Sequence, residues 1–423
     1  MFASLVTLAL GQSAPASFRN ILIAATKPGM SPCEPSIAVS KKDPRNIVAG
    51  VILDREIYTK DGGKTWTEQR ISSPHGTYGD PAVISDHEGN FYFFTLSNGN
   101  TTKSWLDRML VQKSNNGGES WKDSDGIGLN VPKQQDKQWP AVHPTKQWVA
   151  LTWTQFDKYG TSDPKFASNI LFSLTQDGGS NWSAPIQIND ISGDCVDDDG
   201  TTEGAVPAIG HDGTIYVAWA NQGVIWFDRT SDQGKTWLAH DIPIAKQFGG
   251  WNMDIPGINR SNGMPVLMRD NSNGPNKGSL YVVYGDQRNG AKDSDIQFLK
   301  STDGGKSWSK PMTVNKDGSG RHQFLPWMAV DDTTGYIYLV YYDRRAYEDN
   351  KTDVIVAFSK DGGTTFTERV ISENPFLPES QVFFGDYNNI SAHGGIIAPI
   401  WTRMDDKKTS VWTAVIKHAD LEK

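Results

Sequence analysis

YTKDGGKTW, residues Tyr58–Trp66, is one of six similar nine-residue segments spread along this chain. Each places Asp or Asn two residues before the second glycine of a turn and ends on an aromatic residue. The other five are KSNNGGESW (Lys113–Trp121), LTQDGGSNW (Leu174–Trp182), RTSDQGKTW (Arg229–Trp237), KSTDGGKSW (Lys300–Trp308) and FSKDGGTTF (Phe358–Phe366). A motif that recurs every 55 to 71 residues predicts a fold built from one repeated unit.

The chemistry of this segment is that of a tight hairpin turn. The side chain of Asp61 or its equivalents can accept backbone N–H groups across the turn, and glycine adopts a positive φ without steric cost. The aromatic residue can then pack beneath the hairpin. We therefore expect a structural rather than a catalytic role for these aspartates.

A second repeat precedes these turns and predicts the inner strand of each unit. It opens a short apolar strand with proline or a small residue, and a second β-branched or aromatic strand follows it. The instances are Glu34–Ile37, Asp80–Val83, Trp139–Val142, Val206–Ile209, Ile255–Ile258, Leu325–Met328 and, without proline, Gly385–Asn388. Four short antiparallel strands per unit, with no amphipathic helix, predict an all-β fold, a β-propeller.

Ring closure explains a mismatch in the count of repeats. There are seven inner strands but six glycine turns, and the last unit lacks a fourth strand. The N-terminal segment Phe18–Ala25 is a strand without a unit of its own. We predict a single domain over residues 18–416, with seven blades and this N-terminal strand closing the last blade, which removes a free sheet edge. Six blades with irregular ends are the alternative.

Composition limits the classes of partner. The chain has 423 residues, 11% aromatic residues and a net charge of −8. An acidic chain argues against nucleic acid as a partner, although a local arginine cluster can still hold a small anion. We expect a monomer without a membrane span.

The N-terminal residues 1–14 predict the location of the protein. They form a short apolar run that ends in small residues. This pattern is typical of a secretory signal peptide, so we expect a secreted or periplasmic protein; a buried strand is the alternative.

The two cysteines, Cys33 and Cys195, exclude a disulfide-dense scaffold and a cysteine-rich zinc site. A single disulfide between them would hold the loop 190–203 over one face of the propeller. Two free thiols are the other alternative.

One face of the predicted propeller concentrates polar residues. The connections that enter each inner strand and those that leave each second strand meet on this upper face. It carries Glu34, Arg55, Asp80, Asp136, Trp139, Glu203, Asp254, Arg288, Arg321, His322, Arg344, Asp386, Tyr387 and Arg403. A ring of carboxylates with arginines and aromatic residues predicts a ligand site in a funnel at the axis.

Two chemistries fit such a funnel. Paired carboxylates can serve as general acid and as base or nucleophile in glycoside hydrolysis, and arginines can hold a sugar carboxylate or sulfate. A carboxylate beside Tyr387 could activate the phenol as a nucleophile. His322 could instead act as acid or base in β-elimination on a uronic acid.

The segment Asp190–Glu203 is dense in oxygen ligands. Asp194, Asp197, Asp198 and Asp199 could bind Ca²⁺, but the spacing is not that of an EF-hand. A solvated acidic loop is the alternative, and we assign no metal-ligating residue.

The six turns resemble the Asp-boxes, or BNR repeats, of the sialidase (neuraminidase) superfamily, across residues 58–366. The resemblance implies the propeller but no single activity, since Asp-box propellers also occur in xyloglucanases, polysaccharide lyases, receptor ectodomains and photosystem assembly factors. Sialidases use three arginines, an Asp acid/base and a Tyr with a Glu partner. The resemblance implies Asp80 as acid/base, Glu203 as partner of Tyr387, and Arg288, Arg344 and Arg403 as the arginines.

Two features depart from the sialidase pattern. Glu34 stands where the family places an arginine that opens the first inner strand, and sialidases have six blades. Seven blades resemble uronic-acid lyases or rhamnosidases. We predict a sialidase-like exo-glycoside hydrolase acting on an acidic glycan. The alternatives are a polysaccharide lyase using His322 and Tyr387, and a non-catalytic propeller that binds a glycan or a protein.

Overall fold

Seven antiparallel sheets form a closed ring in the computed structural model, which describes residues 18–423. The predicted signal peptide at residues 1–14 lies outside the described residues. Strand β1 (Ile21–Ala25) comes first, and the next three sheets follow in chain order. Blade one holds β2 (Ser36–Val39), β3 (Ile47–Val51), β4 (Arg55–Thr59) and β5 (Thr67–Arg70). Blade two holds β6 (Thr77–Ser85), β7 (Phe91–Ser97), β8 (Met109–Ser114) and β9 (Lys122–Asp123). Blade three holds β10 (Gln134–Val142), β11 (Val149–Phe156), β12 (Ser168–Thr175) and β13 (Ile186–Gln187).

The remaining blades repeat this order. Blade four holds β14 (Glu203–Ile209), β15 (Ile215–Asn221), β16 (Val224–Thr230) and β17 (Ile242–Lys246), followed by a hairpin of β18 (Asn252–Met253) and β19 (Ser261–Asn262); blade five β20 (Val266–Arg269), β21 (Leu280–Asp286), β22 (Asp295–Ser301) and β23 (Met312–Thr313); blade six β24 (Gln323–Val330), β25 (Ile337–Asp343), β26 (Asp353–Ser359) and β27 (Thr367–Val370); blade seven β28 (Asn389–His393), β29 (Ile396–Asp405), β30 (Lys408–Thr413) and β31 (Ile416–Lys417). The helix α1 (His418–Leu421) ends the described chain.

The innermost strands enclose the axis. Each of β2, β6, β10, β14, β20, β24 and β28 contacts the next, and β28 contacts β2. Strand β1 pairs with β30, with Ile21 opposite Thr413 and Ala25 opposite Ser410. Both ends of the chain thus build blade seven, which confirms the predicted seven blades and their closure. Among residues 18–423, no helix is long and apolar enough to cross a membrane.

The Asp-box turns have the predicted structural role. Asp61 accepts hydrogen bonds from Thr59 Oγ1 at 2.8 Å, from the backbone N–H groups of Lys64 and Thr65, and from Thr65 Oγ1. The other five turns repeat the contact from the preceding hydroxyl at 2.8 Å. In the exposed turn at Asp232, backbone and side-chain hydrogen bonds from Thr236 lower the pKa of the carboxyl to about 2. The Asp and Asn side chains of these turns are therefore occupied by hydrogen bonds within their own turns.

The last glycine of several turns lets one blade pack closely against the blade before it. A Cβ on Gly305, where φ is +83°, would lie 2.3 Å from the ring of Phe227 in blade four. The closing aromatic of the same turn, Trp308, packs edge-on against Phe227 at 5.2 Å between centroids. Blades four and six repeat this arrangement, with Trp237 on Phe172 and Phe366 on Phe298 at 5.1 Å.

Blade five corrects one sequence prediction. The segment Ile255–Ile258, predicted as an inner strand, is a turn in which Ile258 N donates to Ile255 O. The inner strand is β20, which begins after Pro265. The proline motif was misassigned because the β18–β19 hairpin is inserted between blades four and five, and it repeats a Pro-Gly turn signal without pairing into a blade.

Of the two alternatives for the cysteines, the structure has the free thiols and not the disulfide. Cys33 and Cys195 are both buried free thiols. Cys195 forms a β-bridge with Thr161 at the edge of blade three, while Cys33 precedes the first inner strand. Each is held by its own blade, so the loop 190–203 is anchored by backbone pairing instead.

We predict that Gly305→Ala destabilises the protein far more than Gly304→Ala. Both glycines have positive φ, which costs an alanine about 1–2 kcal/mol. Only Gly305 faces an aromatic ring at 2.3 Å, which adds about 1–3 kcal/mol of overpacking. Chemical unfolding of the two variants measures the difference; equal losses would show that the inter-blade contact does not matter.

Candidate functional site

A bulge at the start of the inner strands aims side chains at the axis. The register of β6 against β7 shifts between Gly79 and Ala82, and that of β10 against β11 between Asp136 and Trp139. The bulged residues Asp80 and Lys137 have φ of +51° and +50°, and Glu34 has +51° at the matching place in blade one. Positive φ in non-glycine residues is uncommon and concentrates at functional sites.

Asp386 is the anion at the centre of this upper site. Lys137 Nζ lies 2.6 Å from its Oδ2, and Arg260 Nε donates to its Oδ1 at 2.8 Å. Asn262 Nδ2 donates to its backbone oxygen at 2.7 Å. Burial would raise the pKa of the Asp386 carboxyl, but the charges of Lys137 and Arg260 outweigh burial and hold it well below its usual range. Asp386 is therefore a buried carboxylate that stays ionised.

Arg260 reaches the cluster from the inserted hairpin. Its Nη1 donates to Asp197 Oδ2 at 2.8 Å, and its Nη2 contacts Asp386. Tyr159 OH donates to the same oxygen of Asp197 at 2.6 Å. The guanidinium also lies over the ring of Phe383 at 5.6 Å. Every nitrogen of Arg260 is thus engaged by the protein.

Three further carboxyl groups are buried where nearby positive charges do not outweigh the effect of burial. Burial and the charge of Asp80 raise the pKa of Asp136 to about 7. The same two causes raise the pKa of Glu34 well above its usual range. Burial and the charges of Asp197 and Asp136 do so for Glu203, whose oxygens have no hydrogen-bond partner. The site therefore holds protonated acids beside ionised carboxylates.

Aromatic side chains form the floor beneath these charges. Trp139 lies 4.2 Å from Trp327 and 5.0 Å from Tyr387, between ring centroids. Tyr387 OH donates to Pro81 O at 3.3 Å, and burial with the charges of Asp80 and Glu34 raises its pKa well above its usual range. Below this floor the axis opens into a cavity of about 200 Å³ lined by all seven inner strands. The aromatic floor separates the charged funnel from that cavity.

Seven of the residues named from the sequence come together here. They are Glu34, Asp80, Asp136, Trp139, Glu203, Asp386 and Tyr387. Glu203 faces Asp197 and Asp136, whereas Tyr387 faces Asp80 and Glu34. The Glu203–Tyr387 partnership implied by the resemblance is therefore not formed.

The predicted arginine cluster is not formed. Arg288 pairs with Asp286 at 2.7 Å, and Arg403 pairs with Asp405 while donating to Asn374 O. The remaining arginines are also bound by neighbours: Arg344 donates to Thr352 Oγ1 and Pro256 O, Arg321 to Glu348 O, and Arg55 contacts Glu68 and Ala25 O. Each of these arginines is occupied by carboxylate, hydroxyl or backbone acceptors that lie outside the cluster around Asp386.

His322 and Asp254 lie outside the cluster. His322 contacts Ser294 Oγ at 3.0 Å, and burial with the charge of Arg344 lowers its pKa to about 4, so the imidazole is neutral. Asp254 is an exposed residue of the turn that follows β18. Neither faces the carboxyls around Asp386.

The acidic loop does not gather its oxygens around one point. Asp194 accepts from Thr201 Oγ1, Asp198 from Asn252 Nδ2, Asp199 from Asn252 N, and Asp197 from Arg260. The loop therefore builds the wall of the site rather than an arrangement suited to Ca²⁺, which prefers six to eight oxygens.

Lys137, Tyr159, Arg260 and Asn262 were missed by the sequence analysis, and Asp197 was considered only as a possible Ca²⁺ ligand. Lys137 had a signal, because Lys137-Gln138-Trp139 occupies the same bulge as Asp80-Pro81-Ala82. Aligning the blades on proline hid it: Pro81 lies inside the bulge, while Pro140 lies beyond it and pairs with Leu151. Arg260 had no such signal, since its hairpin belongs to no repeat.

The comparisons with known proteins agree with this architecture. A family model described as BNR/Asp-box repeat matches residues 57–68, which contain the first turn. No curated protein sequence matches the chain.

Solved structures share the fold. An ulvan lyase, described as a new family of polysaccharide lyase, has a TM-score of 0.57 at 12% identity, covering 96% of this chain and 99% of its own. The α-L-arabinanase of Penicillium chrysogenum, complexed with arabinobiose, has 0.51 at 12%, covering 96% and 99%. A Hadza microbial sialidase has 0.49 at 12%, covering 88% and 73%. This chain is a seven-bladed β-propeller with BNR/Asp-box repeats, similar in fold to enzymes that act on glycans.

Proposed function

We propose that this protein is a glycoside hydrolase that cleaves a neutral glycan in the upper funnel. The proposal rests on the pairing of Asp136 with Asp80. The pKa of Asp136 is raised to about 7, and the negative charge of Asp80 contributes to that shift. Glycoside hydrolysis requires two carboxyl groups, one that holds a proton and one that is ionised.

The roles follow from protonation and exposure. Asp136 holds its proton up to about pH 7 and donates it to the glycosidic oxygen that leaves. Asp80, 16% exposed at its side chain, supports the developing positive charge of the sugar or activates water. Lys137, 3.5 Å from Asp80, and the Asp386 carboxylate hold this pair in place.

The charge balance supports a neutral rather than an acidic substrate. The cluster contains six carboxyl groups, Glu34, Asp80, Asp136, Asp197, Glu203 and Asp386, and two cations, Lys137 and Arg260. Arg260 already binds the Asp386 carboxylate bidentately through Nε and Nη2 and donates from Nη1 to Asp197, so this fork is not vacant for a sugar carboxylate. The sialidase-like activity expected from the repeats thus lacks its arginine site here.

A polysaccharide lyase is the second candidate. The observation that favours it is the neutral His322, since a neutral imidazole can abstract a proton in β-elimination. Against it, His322 lies among Arg344, Arg321 and Asp254, whereas Tyr387 faces Asp80 and Glu34. The two groups therefore do not share one reacting centre.

Product analysis tests the proposal. Purified protein is incubated with neutral polysaccharides such as arabinan and xyloglucan, with sialosides, and with uronic-acid polysaccharides. We expect new saturated reducing ends from a neutral glycan. Products that absorb in the ultraviolet would identify elimination instead, and binding without any product would identify a non-catalytic propeller.

We predict that Asp136→Asn lowers kcat by about 10²- to 10⁴-fold, the usual contribution of a general acid, while the protein remains folded. Loss of one buried carboxyl with a raised pKa does not disturb the Asp386 ion pairs. Steady-state kinetics and circular dichroism measure both effects. Asp349→Asn is the matched control, because Asp349 is an exposed upper-face residue paired with Lys351; equal activity of the two variants would rule out Asp136 as the acid.

We predict that kcat/KM falls as the pH rises through about 7. The active form carries a proton on Asp136, and that proton is lost at its raised pKa of about 7. A pH profile of the wild type measures this limb. A profile that stays level to pH 9 would contradict the assignment.

We predict that the contribution of Asp136 to the free energy of unfolding falls between about pH 4 and pH 7, without any substrate. The folded protein holds a proton on Asp136 that the unfolded chain has already released above about pH 4, so the contribution of Asp136 to stability is fully present below about pH 4 and is lost as the pH rises towards about 7. Thermal unfolding at pH 5 and pH 8 measures the decline. Asp136→Asn should reduce it; an unchanged pH dependence would show that Asp136 ionises normally.

A further inference from the structure

We propose that Tyr78 and Trp105 form a second sugar subsite beside the charged funnel, so that the substrate is a chain of neutral sugars rather than a single terminal unit. This inference rests on the proposed function and extends it to the length of the substrate.

The two rings form an exposed aromatic surface at the mouth of the site. Trp105 and Tyr78 are each 39% exposed. Their centroids are 5.4 Å apart in an edge-on arrangement, and Trp105 contacts Tyr159 in the same way at 5.6 Å. Large aromatic groups left in contact with water and with one another mark binding surfaces.

This surface is continuous with the catalytic cluster. Tyr159, the third ring, donates its hydroxyl to Asp197, and Asp197 binds Arg260. Tyr78 lies two residues before Asp80 on β6. A sugar ring on Tyr78 and Trp105 would therefore adjoin a ring placed over Asp80.

The loop that presents Trp105 is rigidly built. Leu106 is buried with φ of +53°, and its backbone oxygen accepts from Gln135 N at 2.8 Å. Asp107, fully buried, accepts from Ser97, Thr102 and Arg108. Gly99 approaches Ser104 so closely that a Cβ would lie 1.8 Å from its oxygen. Such a loop orders Trp105 before any ligand arrives, which lowers the entropic cost of binding.

A neutral sugar ring is the occupant that this chemistry fits. Its C–H faces are apolar and pack on aromatic rings, while its hydroxyl groups can bond the polar groups of the funnel. The subsite offers the exposed apolar faces of two rings set at an angle to each other rather than a cationic fork, consistent with a neutral chain.

Binding as a function of chain length tests the subsite. Arabinan- and xyloglucan-derived oligosaccharides of one to six units are titrated into the Asp136→Asn protein by calorimetry, so that hydrolysis does not interfere. We expect affinity to rise by about five- to tenfold when a second unit is added, and Trp105→Ala in the same background to abolish that rise. Trp105→Phe should restore part of it.

Phe248→Ala is the matched control, because Phe248 is 41% exposed and lies beside Lys246 and Arg288, away from the three rings. It should keep the full gain with chain length. Affinity that is independent of chain length, a gain that survives Trp105→Ala, or no binding of any oligosaccharide would overturn the subsite.

Failure of the subsite and failure of the hydrolase assignment are distinguishable. Hydrolysis by the wild type with kinetics unaffected by Trp105→Ala would refute the subsite alone. A chain-length gain that depends on Trp105, without turnover by the wild type, would support the subsite and refute the hydrolase.

Discussion

The buried carboxylate of Asp386 holds the top of the propeller together. It binds Lys137 from blade three and Arg260 from the inserted hairpin, and it precedes the inner strand of blade seven. Removing one partner of a buried ion pair leaves an uncompensated charge at a cost of about 3–5 kcal/mol. Three distant parts of the chain are therefore tied to one anion.

This arrangement leaves the other acids short of counter-charges. Both cations bind Asp386, and their remaining contacts go to Asp80 and Asp197, so burial raises the pKa values of Asp136, Glu34 and Glu203, which favours their protonated forms. A folding constraint thus places acids with raised pKa values beside the Asp386 carboxylate, and the proposed hydrolase activity rests on this arrangement. The aromatic side chains of Trp139, Trp327 and Tyr387 close the axis beneath these acids.

Much of the fold is predictable from the sequence because it rests on local interactions. An Asp-box turn is complete within nine residues, and strand β1 was recognisable as a strand without a blade. Glu34 and Asp80 were found because both stand beside a proline at the start of an inner strand. The inner strand of blade five was assigned wrongly because the inserted hairpin contains Pro256-Gly257, which resembles the proline motif that opens other inner strands. Lys137 was overlooked because proline lies inside the bulge in blade two but beyond it in blade three.

The sequence by itself therefore determined the repeat, the seven blades and the face on which the polar residues gather, since these depend on turn chemistry and strand alternation. Only the tertiary structure decided which charges meet. Arg288, Arg344 and Arg403 donate to acceptors away from the cluster, whereas Arg260, outside every repeat, binds Asp386. Pairing of charges depends on distances between blades and on burial, and neither is encoded in the spacing of residues within one blade.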